Sequence, residues 1–171
     1  FGRFVDNRSD DALVQSQRAV FPYSDGDKPT ILVTLQYGME EFAGDYVKDG
    51  VIVDALNQVI KQTADRYVWL LRLHPSQMVG EHKQKLTAYL EQHFGQLESV
   101  LWQISSTVPM PLIMTMSDLH ITHFSSTVIE AANFSIPSAL LDPHIKPGGK
   151  HGDFYRQEIE SGIAEVVEIT P

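Results

Sequence analysis

Ser125, Ser126 and Thr127 place three hydroxyls in a row, and Glu130 follows about one helical turn after Ser126. Side chains at that spacing share a helix face. Hydroxyls at a helix start can cap amides that the first turn leaves unpaired. The same amides, the positive end of the helix dipole and any spare hydroxyls also suit a phosphate. One cap does not require three hydroxyls. Glu130 would meet the ligand's next group, as acidic residues hold ribose hydroxyls in nucleotide-binding α/β domains; a capping box is the plainer reading. His74 is the second candidate, because Pro75 pins the turn and projects an imidazole able to donate to a phosphate oxygen or protonate a leaving group. Gly38, in "QYG", would admit a phosphate close to the backbone. Arg72 shares the face of His74 but sits deeper along its strand, so its expected role is structural.

These residues need elements that bring them to one edge. From Thr30 the chain alternates short apolar runs with amphipathic stretches. "TILVTLQYG" precedes a periodic stretch over 51–64, "YVWLLRLHP" precedes 79–94, and "SVLWQI" precedes the short piece "PMPLIMTMS". "LHITHF" then leads into 126–133, "SALLD" into 153–161, and "AEVVEI" ends the series. Strands apolar on both faces, separated by helices, imply a doubly wound α/β domain with a parallel sheet of about six strands. Ligands of such a sheet sit beyond the carboxyl ends of the strands, where His74 and the serines fall. The tetrapeptide SSTV occurs at 105–108 and again at 125–128. The first copy runs into "PMP" and reads as a loop, whereas the second enters a helix. His120 and His123, three apart on one strand, would point to opposite faces, so no metal site is expected. "KPGGKHGD", residues 146–153, lacks phosphate-loop spacing and reads as a flexible loop that could cover a ligand.

Composition narrows the classes. With 171 residues, 43% hydrophobic and 20% charged, the chain suits one soluble domain with a real core. Thirteen basic against 22 acidic residues, a net charge of −9, argue against nonspecific binding to nucleic acid or an anionic membrane, so any phosphate site must be local. No apolar run could span a bilayer and no signal segment opens the chain, so the expected location is cytoplasmic, peripheral to a membrane only through other parts of the chain. The absence of cysteine excludes disulfides and a thiol nucleophile. Residues 1–29, ending in "FPYSDGDKP", read as an interdomain connection and residues 30–171 as the ligand-binding domain. The first residue is Phe1, which suggests part of something longer.

From about Thr30 to Ile169 the chain resembles the carboxyl-terminal, donor-binding lobe of two-lobed glycosyltransferases with the B-type fold. "LRLHP" resembles the His-Pro motif, and "HFSSTVIEAANFSIPSALLD" the Ser-Ser motif, of bacterial sialyltransferases, polysialyltransferases, capsule Kdo transferases and glycerol-phosphate polymerases. That resemblance implies His74 on the donor phosphate, Ser125 and Ser126 on phosphate oxygens, and Glu130 on the ribose. It also implies a pyrimidine nucleotide beside the 103–111 loop, no separate cofactor, and a glycan or lipid-linked acceptor bound through an amino-terminal lobe that also supplies the catalytic acidic residue. Without that lobe the chain would bind a nucleotide but not turn it over. A CDP-polyol phosphotransferase lobe, a nucleotide-sugar epimerase-like domain and a noncatalytic nucleotide- or partner-binding module are the alternatives.

Overall fold

The computed structural model describes residues 28–36 and 51–168. Gly38 and nearly all of the 1–29 segment lie outside the described residues. The sheet is six-stranded and parallel throughout, with strands β1 (Thr30–Thr34), β2 (Val68–Arg72), β3 (Val100–Leu101), β4 (Leu119–Thr122), β5 (Ser138–Leu140) and β6 (Ala164–Val166) in the order β3-β2-β1-β4-β5-β6. The fold is the doubly wound α/β lobe that the alternating pattern implies. The chain builds outward from β1 to β3, then returns to lay β4 on the other flank of β1. That reversal opens a crevice beyond the carboxyl ends of β1 and β4.

Alternation along the strands divides the core. Ile31, Val33 and Leu35 of the first strand and its exit, with Trp69, Leu71 and Leu73 of the second, face one layer. There they meet Leu56 and Ile60 of helix α1 (Asp54–Thr63) and Leu86, Leu90 and Phe94 of α2 (Gly80–Phe94). Leu32, Val68 and Leu70 face the other layer, against Leu112, Ile113 and Met114 of α4 (Met110–Thr115) and Ala131 of α5 (Thr127–Asn133). A third cluster of Val128, Leu140, Ile145, Tyr155 and Ala164 packs around β5 and β6, beside α6 (Arg156–Glu160). The side-chain period of 2 thus buries both faces of the central strands, leaving only their ends to display chemistry.

One local expectation changes. The first SSTV copy is not a loop: Gln103–Thr107 forms the short helix α3. Ser105 and Ser106 donate to the carbonyls of Leu101 and Trp102 four residues back, and Pro109 ends the helix one residue after its cap, Val108, instead of preventing it. The 146–153 segment lies within successive turns between β5 and α6, joined to the end of β5 by a His151–Asp142 pair. A Leu32→Ala change, deleting a fully buried side chain in the central strand, should lower unfolding free energy by about 2–5 kcal/mol in urea titrations.

Candidate functional site

Three strand exits meet at the crevice. His74 caps a 3-10 turn over Pro75–Met78, accepting the Ser76 amide at Nδ1 (3.2 Å), while its own amide donates to Gln77 Oε1 (2.8 Å). An Nδ1 that accepts leaves the ring proton of a neutral imidazole on Nε2, a donor. Gln77 is buried, and its Nε2 donates to the Gln36 carbonyl just past β1 (3.2 Å). Gln36 Oε1 in turn accepts the Phe124 amide past β4 (3.0 Å). Two glutamines therefore tie the turn bearing His74 to the residue preceding Ser125. Gln77 has a local signature only in its capping of the His74 amide; the cross-strand roles of the two glutamines have none, since those partners lie 41 and 88 residues away in sequence.

The serine cluster is polarised from behind. Ser126 is the N-cap of α5, yet it is exposed and its side chain makes no capping bond; Ser125 Oγ instead accepts the Thr127 amide at 3.3 Å. Ser125 Oγ also accepts the Thr127 hydroxyl at 2.9 Å. With both acceptor positions used, what remains to Ser125 is its own O–H. Thr127 Oγ1 lies 3.2 Å from both Thr34 Oγ1 and His120 Nε2, and Thr34 Oγ1 lies 3.0 Å from the same nitrogen. His120 Nδ1 completes the network at 2.9 Å from Ser138 Oγ. Burial lowers the His120 pKa to about 4, so the hub is a neutral imidazole.

Glu130 sits at the fourth helical position of α5, beyond reach of a standard capping box. It lies within electrostatic range of Arg72, whose guanidinium pKa is lowered by burial and raised in the opposite sense by that carboxylate. Arg72 donates to the carbonyls of Ser105 and Val108, closing the end of α3 as a structural residue. Hence Glu130 is half-buried beside a fixed cation on the α3 side of the crevice. His120 and His123 have separate surroundings: His120 is held among hydroxyls, whereas His123 feels Asp142, His144 and His151. A concavity of about 900 Å³ lined by Lys146, Gly149, Phe154, Ile159 and Val166 shares no residue with the strand-exit cluster.

Comparison with solved structures gives the architecture. The lobe superposes on UDP-GlcNAc 2-epimerase from Neisseria meningitidis bound to UDP-GlcNAc, with a TM-score of 0.65 and 12% identity, covering 98% of this chain and 40% of that one. This is one lobe of a B-type glycosyltransferase-like fold. The wall teichoic acid polymerase TagF aligns with a TM-score of 0.61 at 19% identity over 96% of this chain and 38% of its own. UDP-GlcNAc 2-epimerase from Methanocaldococcus jannaschii aligns at 0.60 and 15% over 98% and 41%. The chain therefore spans about two fifths of the length of these proteins. No family model and no curated protein matches it. Among the described residues no helix is long and apolar enough to cross a membrane.

The neutral hub has a pH signature. A buried histidine whose folded pKa lies below its unfolded value of 6.5 costs nothing above pH 6.5, and destabilises progressively as pH falls to about 4, where the unfolded chain binds the proton and the native one resists it. Wild-type protein should lose about 3 kcal/mol through this group between pH 7 and 4. Denaturant midpoints measured against a His120→Gln variant isolate that loss, because other acid-titrating groups are common to both.

Proposed function

We propose that this chain is the donor-nucleotide-binding lobe of a transferase that moves a sugar from a nucleotide-activated donor to a glycan or lipid-linked acceptor in bacterial surface-polysaccharide synthesis. One observation carries the reading. At the crevice, Ser125 Oγ and His74 Nδ1 have their acceptor positions filled by the protein itself, which leaves each group to act as a hydrogen-bond donor. Donors at the exits of β2 and β4, beyond the sheet's switch point, suit an anion, and Nε2–H and hydroxyl donors strengthen as charge develops on a leaving phosphate. In this reading His74, Ser125 and Ser126 bind phosphate oxygens, Thr127 supports Ser125, and Glu130 takes the ribose hydroxyls. Gly38, beside the same strand exit in sequence, offers a backbone approach. The 103–111 segment lies beside the base and favours pyrimidines. Acceptor binding and the catalytic base belong to a second lobe.

A CDP-polyol phosphate transferase uses the same donor half, and the likeness to TagF supports it equally. The epimerase likeness, with its TM-score of 0.65, supports a second reading in which UDP-GlcNAc is rearranged without an acceptor. Incubating the two-lobed protein with UDP-GlcNAc, with and without an acceptor, separates these: interconversion of the sugar without acceptor favours the epimerase, and release of nucleotide only with acceptor favours transfer.

Titration calorimetry tests the binding site directly. Replacing Ser125 and Ser126 together by Ala should weaken UDP or CDP by roughly 1.5–3 kcal/mol while leaving uridine or cytidine unchanged. The His74→Ala change should act in the same direction and be non-additive with the serine pair. Equal losses for nucleoside and nucleotide would reduce the serines to caps, costing about 0.5–2 kcal/mol of stability. Glu130→Ala should selectively weaken ribose over deoxyribose ligands, and AMP binding as tightly as UMP would remove the pyrimidine assignment.

A further inference from the structure

The segment after β5 carries polar groups that the proposed function leaves unused. Asp142 is 3% exposed; its Oδ2 meets His151 Nδ1 at 2.5 Å, and its Oδ1 accepts the His144 amide at 2.8 Å. Both carboxylate oxygens therefore hold this segment in place. A carboxylate on Nδ1 keeps a proton there and makes Nε2 the working nitrogen. The His151 ring stacks on Phe124, with centroids 4.4 Å apart and planes at 26°, and Phe154 borders it at 5.9 Å.

Phe124 directly precedes Ser125, and its ring also meets that of Tyr155 edge-on, with centroids 5.9 Å apart. Tyr155 makes this contact from a left-handed backbone conformation, φ 56°, uncommon for a side chain of its size. The segment is thus fastened to the strand exit that bears the candidate hydroxyls, on its β5 flank, while His74 stands on the β2 flank. His123, only 8% exposed and within electrostatic range of Asp142, His144 and His151, has an Nδ1 with no partner among the described residues. That is unfilled hydrogen-bonding capacity in the same cluster. Lys146 lies exposed on the same segment, a local cation in a chain of net charge −9.

We propose that His151, aimed by Asp142, contacts the outer phosphate of a nucleoside diphosphate whose inner phosphate is held by Ser125 and Ser126. The inference rests on the phosphate reading of those serines. The proposed contact runs from Nε2–H to a phosphate oxygen, with Nδ1–H given to Asp142. Asp142 is a positioning residue and does not touch the ligand. The competing role is a clasp that merely folds the segment, which would affect stability without distinguishing one phosphate from two.

Calorimetry on the full protein with CDP and CMP, and with UDP and UMP, separates the two roles. His151→Gln should weaken the diphosphates about tenfold or more and leave the monophosphates within about twofold. Asp142→Asn should act in the same direction with a smaller loss. Long-range proton–nitrogen spectra of wild-type imidazoles should show the His151 Nε2 signal moving on saturation with CDP but not CMP, a readout that stands even if His151→Gln fails to fold. Equal losses for CDP and CMP, unchanged affinities, or an unmoved ring signal would overturn the assignment. Failure of the underlying reading looks different: no binding of any of the four nucleotides, or Ser125→Ala/Ser126→Ala proteins that bind CDP as tightly as wild type, would remove the serine site and this contact with it.

Discussion

The 2.9 Å hydrogen bond from the Thr127 hydroxyl to Ser125 Oγ decides the polarity of the crevice. A threonine hydroxyl has one proton to give, and once it is given the oxygen must be supplied from elsewhere. His120 and Thr34 are the groups within reach to supply it, and Ser138 engages the other ring nitrogen. Four polar side chains from three adjacent strands and a helix thus form one satisfied network inside an otherwise apolar layer. Such networks are expensive when a member is missing and specific when complete. Burial keeps His120 neutral, so the network sets the direction of the Ser125 O–H without placing a charge behind it.

This arrangement differs from a phosphate cradle built of bare amides. The Phe124 amide is committed to Gln36, and the Thr127 amide to Ser125. Helix α5 has only seven residues, so its dipole is a weak source of positive potential. On the proposed reading, side-chain donors would do most of the recognition, which fits the hydroxyls and imidazoles at the carboxyl edge of the described sheet and a site that is local in a protein of net charge −9.

Much of the fold was legible because its causes are local. Continuous apolar runs in "TILVT" and "VWLLR" report two buried faces, and four-residue spacing of Leu86, Leu90 and Phe94 reports the inward stripe of α2. The β3 strand shrinks from "SVLWQI" to two residues because Trp102 already begins the turn into α3. The two SSTV copies show where local reading stops. Ser105 also donates to the Leu71 carbonyl, and Ser106 accepts the Leu73 amide, so a neighbouring strand 33 or 34 residues away holds the first copy against the sheet. Identical letters take different roles according to that neighbour.

The candidate residues were legible by type, while the groups that orient them were not. Gln36, Gln77, Thr34 and Ser138 are ordinary polar residues whose importance arises from pairings across strands, with separations of 18 to 93 positions along the relevant hydrogen bonds. Arg72 marks the same boundary: as a deep strand residue it reads as structural and its bonds to the Ser105 and Val108 carbonyls make it so, but its electrostatic coupling to Glu130, 58 positions along the chain, has no local signature. That coupling bears on chemistry. On the proposed reading, a ribose met by Glu130 would lie within the electrostatic range of a guanidinium fixed by the Ser105 and Val108 carbonyls, so the same Arg72 that seals α3 adds a local cation to the far end of the proposed site.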